Sequence, residues 1–314
     1  MVNARHHEKV ACVTGASGII GKKIVDQLLS NGYAVKALTR RADYVKRGVE
    51  VVYGNIDDEG LLADYLDNAN LLFHCAGELH DISKMWEINV NGTQGLVRQI
   101  AKSRIEFCCY ISSAGVVGKT DLLLVDEEVQ CRPINVYEKS KYAAEQIITG
   151  IDNQCRVVIL RPTNVVDDEH PGPISLPKRG SLVDRMKVVL KGEECAHIIH
   201  AEDVAAACLH MATKANSGLQ YYFVSCDEEP LNTYAGVWSL YKAYEKKMKI
   251  ETAQPVFHLP IIVPYLMRTL YRGKSNKGNV RYSSRKLAAT GFAFPLGLIG
   301  AIKNIYTSVN KIGY

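Results

Sequence analysis

The sequence predicts an α/β protein: a Rossmann-type doubly wound parallel sheet with a smaller, mostly helical C-terminal lobe. Three observations carry this. Short apolar, β-branched runs alternate with amphipathic stretches through the first half of the 314 residues. The first run enters a helical pattern through a glycine-rich turn. The alternation breaks after Pro162. Parallel strands covered by helices on both faces read as continuous apolar runs, which is the pattern seen here.

Taken in order, the strand-like runs are 10–13, 34–38, 49–52, 71–73, 107–111 and 157–160. Amphipathic stretches at 22–31, 60–66, 92–102 and 137–150 lie between them and have helical spacing. The turn after the first strand reads Thr14-Gly15-Ala16-Ser17-Gly18-Ile19-Ile20-Gly21. A helix N-terminus carries partial positive charge and unpaired N–H groups that can face a pyrophosphate. Gly15 suits the tight turn, Gly18 lets backbone approach phosphate, and Gly21 lets the helix pack closely on the strand. The sheet is expected over 1–165, completed by about 196–216. Segments 166–195 and 217–314 are expected to form the substrate-binding lobe. The Pro- and Gly-containing stretch 167–181 reads as an excursion over the cleft at the strand ends.

Composition narrows the function classes. Net charge is only +5, and aromatics are not interleaved with a basic stripe, so nucleic acid is not an expected partner. No segment reaches the roughly 20 apolar residues that span a bilayer. Residues 1–9 are polar and lack an apolar signal core, which predicts a cytoplasmic protein. The nine cysteines show no metal-type spacing; they read as reduced thiols, and no metal is expected.

Chemistry concentrates at Tyr137 and Lys141, four apart and therefore on one helical face. A tyrosine titrates near 10, and a neighbouring ammonium favours the phenolate. Bringing it to about 7 takes roughly 4 kcal/mol. Such a tyrosine can exchange a proton with an alcohol or ketone near neutral pH. Ser113, just beyond the strand 107–111, is placed to hold the reacting oxygen; Ser112 is its structural neighbour. The second strand ends at Arg40-Arg41 with no acid before Asp43. An acid there would bind a ribose 2′-hydroxyl, whereas guanidinium groups suit a 2′-phosphate. One or two charge-assisted bonds, at about 1.5–3 kcal/mol each, predict at least about a tenfold preference for NADP, with NAD as the alternative.

Several of these features occur in a characteristic order. Thr14 to Gly21, the run Leu72-Phe73-His74-Cys75-Ala76-Gly77, Asn89-Val90-Asn91-Gly92-Thr93 and Ile111-Ser112-Ser113-Ala114 are followed by Tyr137-Glu138-Lys139-Ser140-Lys141, Leu160-Arg161-Pro162 and His200-Ala201-Glu202-Asp203. The chain resembles the extended short-chain dehydrogenase/reductase superfamily, the NAD-dependent epimerase/dehydratase family, over most of its length. The resemblance implies a catalytic set of Ser113, Tyr137 and Lys141. It implies cofactor contacts from Gly15, Ser17, Gly18, Ile19, Ile20 and Gly21 of the turn, and from Arg40, Arg41, Asn55 and Ile56. Further contacts are implied from Cys75, Ala76, Gly77, Asn89 and Pro162, with Tyr137 and Lys141 also touching the cofactor. Substrate contacts are expected from Ser113, Asn164 and Arg281, and a homodimer is expected.

Related dehydratases carry an Asp-Glu pair after the catalytic hydroxyl residue; here those positions are Ala114 and Gly115, so dehydration is not expected. The arginines favour an NADP(H)-dependent reductase of a ketone, the 4-keto group of a nucleotide-linked sugar first. The alternatives are a 4-epimerase with bound NAD, an oxidoreductase of a steroid- or flavonoid-like substrate, and a dinucleotide-binding sensor without catalysis. Seven basic residues and no acid lie between Arg268 and Lys286, a run that could bind a diphosphate. The apolar stretch from His258 suits an apolar substrate, and 258–286 also offers a peripheral membrane contact.

Overall fold

The apolar runs and the amphipathic stretches become strands and helices in the order their spacing predicts. The structure, a computed structural model, describes residues 9–152, 154–248, 256–272 and 276–311. The polar residues 1–8 and Lys274 of the basic run lie outside them. The first half runs β1 (Val10–Thr14), α1 (Gly21–Ser30), β2 (Ala34–Thr39), β3 (Val49–Tyr53), α2 (Glu59–Leu66) and β4 (Leu71–His74). It continues with α3 (Ile82–Trp86), α4 (Gly92–Ile100), β5 (Phe107–Ile111), β6 (Leu124–Val125), α5 (Val136–Ile148) and β7 (Arg156–Pro162). The second half comprises β8 (Asn164–Val166), α6 (Leu176–Arg179), α7 (Leu182–Lys191), β9 (Ile198–His200), α8 (Ala201–Lys214) and β10 (Leu219–Val224). Then come α9 (Tyr234–Glu245), α10 (Ile262–Arg272), β11 (Arg281–Tyr282), α11 (Arg285–Ala288) and α12 (Gly297–Lys311).

Seven strands form a parallel sheet in the order β10-β7-β5-β4-β1-β2-β3. Strand β1 pairs with β2 on one side and β4 on the other, Thr14 lying opposite Leu38 and His74. Chain order therefore reverses across β1 and β4, and the carboxyl ends of these strands frame the switch point at which such sheets bind ligands. On one sheet face Leu62, Leu66, Leu96, Ile100 and Ile148 of the helices pack on Cys12, Leu72 and Tyr110. A Leu or Ile buried this way contributes about 1.5–3 kcal/mol relative to exposure. That core fixes the strand ends, and with them the site.

The chain divides into two compact units. The first holds the residues through Gly118, Pro133–Arg161 and Val204–Tyr222; the second holds Lys119–Arg132, Pro162–Asp203 and the residues from Phe223. The boundary differs from the expected 1–165. Residues 119–132 leave the sheet unit because β6 pairs with β11, Leu124 against Arg281 and Val125 against Tyr282. Residues 162–165 leave it because β8 pairs with β9. The segment that completes the sheet unit is Val204–Tyr222, reaching into β10, rather than about 196–216. In the second unit the Asp203 carboxylate accepts from Leu296 N and Gly297 N, closing the N-terminus of α12.

Candidate functional site

The glycine turn has the geometry of an open anion cradle. Gly15 sits at φ +64°, and a Cβ there would lie 2.7 Å from Ala76 N, so only glycine fits. A Cβ on Gly21 would collide with the Gly15 carbonyl, which is the close helix–strand approach expected. Ile20 caps α1 without any side-chain hydrogen bond, and no acid occupies its first turn. The first N–H groups of α1 thus have no side-chain acceptor competing for them, as an incoming phosphate requires. Ile19 and Ile20 are half-buried beside the turn. A cleft of ≈ 480 Å³ opens here, lined from the turn by Gly15, Ser17 and Gly18 and from the end of β2 by Arg40 and Arg41. Asn55 and Ile56 after β3, and Cys75, Ala76 and Gly77 after β4, complete those lining residues the sequence singled out. Asp57, Lys84, Glu87 and Ile88 also line it, and no sequence signal had marked them.

The end of β2 differs from the expectation in one respect. Arg40 has an acid beside it after all: its guanidinium lies 3.7 Å from Glu78. Glu78 comes from the loop after β4, 38 positions away in sequence, so linear proximity could not reveal the pair. Its other oxygen accepts from the N–H groups of Leu79, His80 and Asp81. Those hydrogen bonds, with Arg40 adding to them, hold the Glu78 carboxyl below the usual range. Arg41 is engaged bidentately by Asp43, at 3.1 and 2.8 Å. Arg40, more than half exposed, is the cation at this rim with room to turn.

Helix α5 presents the catalytic candidates. Asn135 and Glu138 form a reciprocal capping box at its start, fixing the first turn that carries Tyr137. Ser113 lies beside Tyr137, where it favours the phenolate, and its hydroxyl oxygen accepts from Gly115 N at 3.1 Å. Ser112 instead is buried, with a hydroxyl lacking a hydrogen-bond partner. Geometry thus pairs Ser113, not Ser112, with the tyrosine. Lys141 is buried, donates to Ile111 O at 2.6 Å and lies 4.3 Å from the centre of the Tyr110 ring.

The expected depression of the Tyr137 pKa is not found. Burial raises the phenol, and Ser113 opposes it only in part. Burial lowers the Lys141 ammonium to about 7, while Glu145 and Cys75 pull it upward. The cation is turned toward Ile111 and Tyr110, so its field is spent there and the phenol stays protonated. Glu145 is itself held in a buried bidentate pair with Arg161, at 2.9 and 2.7 Å.

Behind the tyrosine runs a buried chain of hydrogen bonds whose directions are fixed. Thr93 donates to Asn89 O at 2.6 Å, so it must accept from His74 Nε2 at 3.0 Å. His74 Nδ1 is then an acceptor, and Thr14 donates to it at 2.8 Å while accepting from Ala76 N. Burial, with Lys141 adding to it, lowers His74 to about 3, so the ring is neutral and this tautomer is consistent. Asn89 donates to Ser140 Oγ at 2.9 Å, and Ser140 donates to Tyr137 O at 2.8 Å. Asn89 sits in a widened helical turn, Glu87–Asn91, which aims its amide at both the N–H and C=O of Glu78. The glycine turn and the catalytic helix are thereby tied through His74, Thr93 and Asn89. The sequence placed Asn89 among the implied cofactor contacts and assigned His74 and Thr93 no role. Their one signal was their position at a strand end and a helix start.

The remaining expectations fall in the second unit. Pro162 is buried at the end of β7. The Asn164 amide donates to Ala196 O at 2.9 Å, a structural bond within that unit. Arg281 lines a shallow depression with Leu124, Glu228, Asn279 and Arg285. In the acidic run, the buried Asp167 carboxylate accepts from Glu169 N and His170 N, closing a turn. No disulfide joins the cysteines among the described residues, and burial pushes Cys155 up to about 11 and Cys75 well above the ordinary range.

Comparison with known proteins decides the family. The model of the "NAD dependent epimerase/dehydratase family" matches residues 11–224. The chain belongs to this family. It is thereby a member of the extended short-chain dehydrogenase/reductase superfamily, as the ordered motifs implied. It is 30% identical to a sterol-4-alpha-carboxylate 3-dehydrogenase (decarboxylating) of Dictyostelium discoideum, over 48% of this chain and 51% of that protein. It is 24% identical to a dihydroflavonol 4-reductase of Dianthus caryophyllus, over 98% of this chain and 88% of that one. The chain thus spans about half the length of several curated relatives it matches, among them the sterol dehydrogenase. The solved structure of MoeE5 in complex with UDP-glucose and NAD shares the fold, with a TM-score of 0.72 at 22% identity, covering 97% of this chain and 99% of that one. Among the described residues no helix is long and apolar enough to cross a membrane.

Proposed function

We propose that the protein is an NADP(H)-dependent oxidoreductase that reduces a ketone, with Tyr137 as the proton donor. The observation that carries this is the placement of Ser113 beside Tyr137, on a capped helix with Lys141 buried one turn away. A bound nicotinamide cofactor supplies the hydride. Ser113 holds the ketone oxygen and Tyr137 delivers its phenolic proton to that oxygen. The raised pKa of Tyr137 suits this direction, because the phenol is already protonated at neutral pH. The phenolate left behind is stabilised by the Ser113 hydroxyl. Asn89, Thr93 and His74 keep the tyrosine's helix in register with the glycine turn. Arg40 exchanges Glu78 for a 2′-phosphate, which favours NADP over NAD.

For the substrate we favour a 4-keto nucleotide sugar, held through its diphosphate by Arg281 and the basic run around it. A second reading, an apolar ketone, is favoured by the likeness to a dihydroflavonol 4-reductase over 98% of the chain. NADPH oxidation with a 4-keto nucleotide sugar and with an apolar ketone, each measured with wild type and Tyr137→Phe, separates the two readings. Turnover of either that is lost in the variant supports the chemistry. Interconversion of sugar epimers with NAD retained in the protein would instead assign it to the epimerases. Tight NADP binding without turnover of any carbonyl would favour a sensor.

A further inference from the structure

Helix α10 is built the wrong way out for a globular surface. Ile262, Leu266 and Leu270 recur every four residues, and Met267 and Tyr271 extend the same apolar arc. In an ordinary amphipathic helix that arc faces the core. Here it faces outward: Leu270 is 88% and Tyr271 87% exposed, and Ile262, Leu266 and Met267 are each more than half exposed. The opposite side is the one that packs, with Pro264 buried and Arg268 turned inward to an ion pair with Glu194. Helix α7 packs beside α10, and Leu259 N donates to Val189 O at 2.8 Å. At its start α7 likewise exposes Leu182, Val183 and Met186.

The charge around this apolar surface is mainly positive. Residues 178–191 hold five Lys/Arg and a single acid, Asp184. That acid is buried and bonded to Ser181 at the start of α7. Glu193, which accepts from Ile261 N at the start of α10, is the exposed exception. A second copy docking through the same face would bring like charges together, which opposes isologous pairing. An anionic lipid surface removes both difficulties, since it accepts apolar side chains and attracts the surrounding cations. A tyrosine at the end of the arc is also a residue type that settles at such an interface.

We propose that the exposed face of α10, with the first turn of α7, docks on the surface of an anionic phospholipid bilayer. The helix lies in the interface and does not span it. None of the apolar residues of this face belongs to the proposed catalytic, cofactor or substrate-binding machinery.

The test is co-flotation of the full chain with vesicles of phosphatidylcholine alone and of phosphatidylcholine with phosphatidylglycerol. Wild type should float with the anionic vesicles, less so at raised salt and much less with neutral ones. Leu266→Ser/Leu270→Ser should lower partitioning at least about tenfold through the lost apolar burial. Lys187→Glu/Lys277→Glu should lower it on anionic vesicles only. A thermal melt matching wild type shows that each variant folds. If the leucine pair fails to fold, Leu270→Asp alone, at a nearly fully exposed position, replaces it. As a direct probe, Tyr271→Trp should show a blue-shifted emission on anionic vesicles. Failure of wild type to float overturns the proposal, as does equal flotation of wild type and the leucine variant. Self-association in wild type that the leucine variant abolishes, without vesicle binding, overturns it in favour of a second copy.

Discussion

The proposed preference for NADP rests on one side chain, Arg40, at the rim of the cleft with Glu78 as its partner at 3.7 Å. A ribose 2′-phosphate carries more charge than one carboxylate and accepts the planar guanidinium bidentately, so it should displace Glu78. Arg40→Ala is expected to reduce the preference for NADP over NAD by about tenfold, read from the two dissociation constants. An unchanged ratio would show that Arg40 does not read the phosphate. Arg40 was legible in the sequence because it ends a recognisable strand about 20 positions after the glycine turn. Its neutralising partner was not, because Glu78 reaches it only through the fold. The same holds for Tyr137 and Lys141. Their spacing gave the shared face, but not the burial that keeps the phenol protonated or the carbonyl of Ile111 that draws the ammonium away.

At the scale of elements, two devices hold the site, and both were partly legible. The glycine turn was read correctly from three glycines between a strand and a helix. No cap side chain hydrogen-bonds at the start of the helix it opens. Helix α5 is held by the Asn135–Glu138 box, whose residues stand three apart in the sequence. Asn135→Ala is expected to destabilise the protein by about 1 kcal/mol. It should also lower turnover more than that figure alone implies, because Tyr137 lies in the turn the box fixes. Chemical denaturation and NADPH oxidation on the same variant check this; a stability loss with unchanged turnover would separate the cap from the site. What the pattern did not show was the pairing of β6 with β11. Each is two residues long, too short for periodicity to register. That pairing moves residues 119–132 out of the sheet unit.

Across the whole molecule, the buried ammonium of Lys141 leaves a mark on stability. The lysine titrates near 10.5 in the unfolded chain and near about 7 when folded. Between those values the unfolded state binds more protons, so stability rises with pH across this window. Below about 7 both states are charged, and the cost of burying the charge stays constant. In Lys141→Met this contribution disappears, so the melting temperature of the cofactor-free variant should rise less than that of wild type over the same window. Parallel curves would show that Lys141 is not desolvated in the folded protein.

The account stands or falls on Tyr137. Tyr137→Phe removes one hydroxyl and leaves the ring, the helix and the cofactor cleft as they are. The deciding measurement is single-turnover oxidation of bound NADPH by a ketone substrate, with the NADPH dissociation constant determined on the same protein. The predicted result is a rate lower by about 10²–10⁴-fold, the range for a lost general acid, with cofactor affinity nearly unchanged. A variant that oxidises NADPH at the wild-type rate would contradict the assignment of Tyr137 as proton donor.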